Sequence, residues 1–233
     1  MAQNGNLGVR ITDLIGSEYN TIPTNAGDLI NAAINEVADM MSEDLLLKYS
    51  RTPGILEANT EWLVESRKIL KVTRIDADSS GIERECVYLD RTAFSAAQDS
   101  NSLYYATVNS PVYHLDSANA GAATLKIIPV PTTPQKGKIW YFQYVTGTAP
   151  DSEITDLTET TLNSTVYLPS NSMHAIALKS SINILQSYVS DFVQNEEDQE
   201  MVQMIQAQIK GLQSDFQQEM TRFMDEAGKP GSE

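Results

Sequence analysis

The period of the apolar positions changes twice along this chain, from helical to strand-like near Glu61 and back to helical near Leu168. Leu29, Ile30, Ala33, Ile34, Val37, Met40 and Met41 recur at spacings of three and four, the stripe of an amphipathic helix. Asn25 suits its N-cap, and Asp28 complements the positive end of the helix. The pattern continues through Leu45 to Tyr49 until Pro53-Gly54 closes it, which predicts a helix over 26–50. Ahead of it, Val9, Ile11, Leu14 and Ile15 form a short apolar element cut off by Gly16, Asn20 and Pro23.

The middle of the chain reads as strands. Trp62, Val64, Ile69, Val72 and Ile75 suit one or two of them, and Asp78-Ser-Ser-Gly81 suits a turn. Glu85 to Leu89 reads as a further strand, and the Ala-rich Thr92 to Gln98 as a short helix. Strands follow over Ser110–Leu115, Thr124–Val130 and Lys138–Val145, with turns at Gly121 and Gly137. Pro129, Pro131 and Pro134 offer no amide proton, so that strand must end at an edge or leave the sheet. The expectation is a twisted antiparallel sheet of about four to six strands over 61–148.

Thr146 to Asn163 is a Gly-, Pro- and Thr-rich connector with Asp151, Glu153, Asp156 and Glu159 and no base. Pro169 belongs at or before the first turn of a helix whose apolar residues, from Met173 to Phe192, cover more than one face. Such a helix is expected between neighbours. Acids from Glu196 to Glu200 then mark the start of a final helix running to about Ala227. Val202, Ile205, Ile209, Leu212, Phe216 and Phe223 space it at three and four, with Met220 standing in beside Glu219. About 31 residues would give a rod of about 46 Å. The expected class is α+β: a helical bundle, made of an N-terminal helix and a long C-terminal helix hairpin, with an inserted antiparallel β module. The divisions are 1–60 for the first segment and helix, 61–148 for the module and 149–166 for the acidic connector. The hairpin takes 167–228, and 229–233 is a tail.

Charge narrows the function. Sixteen Lys and Arg against thirty-one Asp and Glu leave −15, which gives no footprint for gripping phosphates but suits a surface that DNA slides past. Residues 151–233 hold fourteen acids and four bases, against seventeen and twelve in the first 150. Cys86 is the one cysteine, which excludes an internal disulfide framework and fits a reducing compartment. Met1–Asn6 lacks the blocks of a signal peptide, and no apolar run approaches the ~18 residues of a membrane helix. The expectation is a soluble chain that is not exported.

Catalytic chemistry has little to stand on. His114 and His174 have no second His or Cys at ligand spacing, and no Gly-x-Ser-x-Gly elbow or phosphate-cradling loop is present. The 151–159 acids lack the Asp-x-Asp-x-Asp-Gly spacing of a calcium loop, and Cys86 has no flanking base to activate it. The chain therefore reads as non-enzymatic, with no catalytic, cofactor-binding or metal-ligating residue assigned. Phe216, Met220, Phe223 and Met224 form a late stripe that serves either as core or as a docking face.

The order of parts carries a resemblance. Asp28-Leu-Ile-Asn-Ala-Ala-Ile-Asn-Glu36 opens a helix, followed by Glu65-Ser-Arg-Lys-Ile-Leu-Lys-Val72 and Glu85-Cys-Val-Tyr-Leu-Asp90 as strands. A small helix with Phe94 leads to Ser110-Pro-Val-Tyr-His-Leu115, Leu125-Lys-Ile-Ile-Pro-Val-Pro-Thr132 and Ile139-Trp-Tyr-Phe-Gln-Tyr-Val145. Val166-Tyr-Leu-Pro-Ser170 then enters a helix hairpin. Over about 25–225 this resembles the head–tail adaptor (connector ring) proteins of tailed bacteriophages, in which a helical bundle carries an inserted β domain. The resemblance implies a virion protein assembled in the host cytoplasm: a homo-oligomeric ring, commonly a dodecamer, docked under the portal. Such a ring extends the DNA channel toward the tail nozzle or next neck protein, and DNA passes without specific binding. It also implies a C-terminal helix that reaches the portal. On that reading Phe216, Met220, Phe223 and Met224 are candidate portal or subunit contacts, and Glu196, Glu197, Asp198 and Glu200 are candidate channel-facing acids.

Two other readings stand beside it. The chain could be a different tail, neck or baseplate component, told apart by binding tail tube or nozzle protein rather than portal. Alternatively, Trp62, Trp140, Tyr141 and Tyr144 could offer stacking faces for a carbohydrate or receptor, although alternate residues of that strand face opposite sides.

Overall fold

The computed structural model describes residues 5–16, 26–50, 54–56, 62–64, 67–76, 81–116, 123–132, 135–146, 155–194 and 199–227. It is an α+β chain of two compact units. One is Ser50–Tyr144, and the other joins Met1–Tyr49 to Val145–Glu233.

The helical unit begins with α1 (Leu7–Ile15), where Asn6 Oδ1 accepts from the Val9 amide and Gly16 closes the helix at φ 88°. The start of α1 is stitched to the returning chain. Leu7 N–H donates to the Leu157 carbonyl at 2.8 Å, Asn6 to Asp156 at 3.0 Å, and buried Arg10 to Glu159 at 2.7 Å. Gly8 permits that approach, since a Cβ there would stand 3.0 Å from the Cβ of Thr155.

The helix expected over 26–50 is two helices, α2 (Ala26–Met40) and α3 (Glu43–Tyr49). Ser42 divides them by turning its hydroxyl to the Leu45 amide at 3.3 Å, a local bond that competes with helix continuation. The proposed N-cap Asn25 lies outside the described residues. The 149–166 connector also needs correction, because it contains α5 (Glu159–Thr165). A reciprocal Thr158–Thr161 capping box starts that helix, and buried Leu157 and Leu162 anchor it.

After a 3₁₀ turn at Ser170–Ser172 come α6 (Met173–Gln194) and α7 (Gln199–Ala227). The final helix has 29 residues, about 44 Å of rod. α1, α2 and α7 all pack on α6. That explains why Met173, Ala175, Ile176, Leu178, Ile182 and Leu185 are all buried although they do not share one face. Polar ties fix the packing: Lys179 pairs with Glu36 at 2.5 Å, and Gln208 of α7 donates to the Leu14 carbonyl at the end of α1 at 2.8 Å. Asn35 clamps the returning strand end, donating to the Val145 carbonyl at 3.0 Å and accepting its amide at 2.9 Å.

Among the described residues the β unit is two four-stranded sheets rather than one. Its strands are β1 (Gly54–Leu56), β2 (Trp62–Leu63), β3 (Arg67–Ile75), β4 (Glu83–Glu85), β5 (Val87–Tyr88), β6 (Val112–Asp116), β7 (Thr124–Ile128) and β8 (Lys136–Gln143). The sheet orders are β1-β8-β3-β4 and β2-β7-β6-β5. All pairs are antiparallel except β5 with β6, which run parallel. The unit starts at Ser50, earlier than the change of period at Glu61, because Gly54–Leu56 pairs with β8.

Cys86 divides the strand expected over 85–89. Its amide donates to Val72 of the first sheet at 2.9 Å, and the next amide, of Val87, donates to Pro111 beside the second at 3.1 Å. The chain changes sheets there. Val72 and Ile139 from one sheet pack with Leu125 and Ile127 from the other around Cys86. Burial pushes the Cys86 thiol up to about 12. A second cluster, Phe94, Ala97, Ala106 and Val112, seats α4 (Arg91–Gln98) on β6.

Candidate interaction surface

Arg74 holds in place the return of the chain from β7 to the first sheet. It is 1% exposed on β3, yet its guanidinium donates to Asp76 at 2.7 Å, to the Pro129 carbonyl at 3.0 Å, and to Gln135. Pro129 and Gln135 belong to the segment that leaves β7 and enters β8, so β7 ends where the prolines begin. Asp76 also faces Arg84 at 3.4 Å. On the same sheet Glu83 accepts from Thr73 at 2.7 Å and from Lys138 at 3.0 Å. Burial works to raise the Glu83 carboxyl, but those hydrogen bonds and the charges of Lys138 and Lys71 outweigh it and hold it below its ordinary value. These contacts are internal bracing, and they leave the β unit electrically quiet.

Between Ser50 and Tyr144 the sequence has ten acids and ten bases, so the whole −15 belongs to the helical unit, with twenty-one acids and six bases. Against that quiet background one segment stands out. Leu103 is fully exposed, Tyr104 is 74% exposed, and Tyr105 and Val108 are exposed with them. The segment is a fixed loop. Asn101 N–H donates to Asp99 Oδ1, Tyr104 N–H to Ser102 Oγ, Tyr105 N–H to the Ser102 carbonyl, and Ala106 N–H to Ala97 of α4 at 2.9 Å. The loop then runs into Pro111, the partner of β5, where Val87 and Tyr88 are also exposed. Large apolar side chains presented to water on a hydrogen-bonded loop make this segment the candidate contact surface.

Neither protein-family models, nor curated proteins, nor solved structures match this chain. The surface must be read on its own chemistry.

The residues singled out from the sequence fall elsewhere. Phe216, Met220 and Phe223 are buried, at 8, 2 and 4% exposure, because their spacing continues the inward face of α7 from Ile205, Ile209 and Leu212. Of the stripe's two readings, core and docking face, that burial fits core, and the Met224 side chain lies outside what is described. Glu196, Glu197 and Asp198 lie outside the described residues, while Glu200 is exposed in the first turn of α7. Met204 and Val193 are exposed on the two helices that flank this segment.

Of the aromatic stacking candidates, the Trp62 side chain is outside what is described. Lys138 lies over the Trp140 ring at 5.8 Å, Arg67 over Tyr141 at 5.2 Å, and Tyr144 meets Phe142 edge-on at 5.8 Å. Those faces already have partners within the chain. His114 Nδ1–H donates to the Leu89 carbonyl at 2.9 Å and its ring stacks on Phe94 at 4.8 Å, an ordinary core position. Among the described residues no group of three or more His, Cys, Asp or Glu could hold a metal ion, and no helix is long and apolar enough to cross a membrane. Sequence reasoning missed the 103–108 loop because Tyr and Leu in a short run read as core until a fold shows them in water.

Proposed function

We propose that this chain is a structural virion protein, a head–tail adaptor whose copies form a ring beneath the portal and continue the DNA channel toward the tail. The observation that carries the reading is the division of labour between the units. The helical unit, built from both ends of the chain, holds all of the net charge, and the neutral unit inserted between Tyr49 and Val145 holds the rigid apolar loop. A negative surface repels DNA and lets it slide, while an uncharged apolar surface is suited to protein partners. In a ring each such contact is repeated at every subunit, so individually weak contacts suffice.

Light scattering on the purified chain, alone and mixed with a purified portal ring, tests the reading. The expected result is a large closed oligomer, either by itself or formed only on the portal. A monomer indifferent to portal would refute it and direct the search to tail tube and nozzle proteins.

A further inference from the structure

We propose that the Ser102–Val108 loop of one copy seats in a groove between α6 and α7 of a second copy. This rests on the ring reading above and names the contact that would build the ring. The groove, 280 Å³ in volume, is lined by Gln186, Val189, Gln206, Ile209, Lys210 and Gln213. That is below the ~300–1,000 Å³ of ordinary small-molecule pockets and suits inserted side chains. Its chemistry is out of keeping with its surroundings. In a unit with twenty-one acids and six bases, the lining among the described residues has one base and no acid.

The loop is its complement. From Ser100 to Leu115 there is no Asp, Glu, Lys or Arg, and a single acid, Asp99, stands at the loop's start. Val189 and Ile209 offer an apolar floor for Leu103 and Tyr104, the glutamines can bond the tyrosine hydroxyl and exposed backbone, and Lys210 can face Asp99. Charge also selects the occupant. Two helical units repel each other, whereas the neutral unit of a second copy can approach without that cost. Because loop and groove are different surfaces, the contact is heterologous, the type that propagates into rings.

Two variants change exposed positions only: Leu103→Asp in the loop, and Gln206→Glu with Lys210→Glu in the groove. Circular dichroism and thermal melts should match the wild type. Sedimentation velocity over a concentration series, with and without a portal ring, then reads assembly. Each variant alone should need about tenfold more protein for half-assembly. A one-to-one mixture should form a one-to-one dimer, because the intact loop of one variant meets the intact groove of the other. Variants that assemble like the wild type, or a mixture that stays monomeric, would overturn this contact and leave the ring reading standing. A wild-type chain that never assembles, alone or with portal, would overturn both.

Discussion

Arg74 shows how a single buried charge can set the path of a chain. Its partners are Asp76 just after β3 and the Pro129 carbonyl and Gln135 on the segment between β7 and β8, and removing it would leave partly buried acceptors unmet. Arg74→Met is expected to lower unfolding stability by about 3 kcal/mol in urea titration. A loss below about 1 kcal/mol would mean that Arg84 alone satisfies Asp76. Glu83 makes a pH prediction. Its carboxyl sits below the ordinary value in the folded chain, so its contribution is present at neutral pH and is lost as the pH falls through the lowered pKa. Glu83→Gln should therefore be less stable than wild type at pH 7, with the difference shrinking in acid; parallel stability curves would contradict this. Little of this was legible in the sequence. Arg74 looks like any polar strand residue, and its partners Pro129 and Gln135 lie 55 and 61 positions away. Cys86 was legible as a small core residue, because it has no flanking base of the kind a nucleophile needs.

Elements with a clean period were the readable ones. α2, α6 and α7 follow from apolar spacing, and apolar residues on more than one face of α6 foretold a helix between neighbours. The breaks were harder to see. Ser42 splits a continuous stripe through one side-chain hydrogen bond, and Cys86 splits a strand because successive amides bond to different sheets. α5 went unseen since its sequence, Glu-Thr-Thr-Leu-Asn-Ser-Thr, is mostly polar and forms through its cap and two leucines. The late stripe was read correctly in spacing, but its candidate contact role does not fit its burial. As core, Phe216→Ala should cost about 3 kcal/mol in urea unfolding of the full chain. A variant that is as stable as wild type yet fails to bind portal would restore the docking role.

At the scale of the molecule, the division of charge was half visible. The excess of acids after Asp151 was plain, but the neutrality of Ser50–Tyr144 emerges only when the unit boundaries are known. The exposed loop was hidden for the same reason, since exposure belongs to the fold. A ring whose subunits carry −15 each assembles against its own repulsion, so its formation should be favoured by raising ionic strength from low to physiological values. The most direct test of the central claim is electron microscopy of the chain incubated with a purified portal ring. The expected result is class averages with a second ring, coaxial with the portal and open at its centre. Portal rings that remain bare at saturating concentrations of the chain would contradict it.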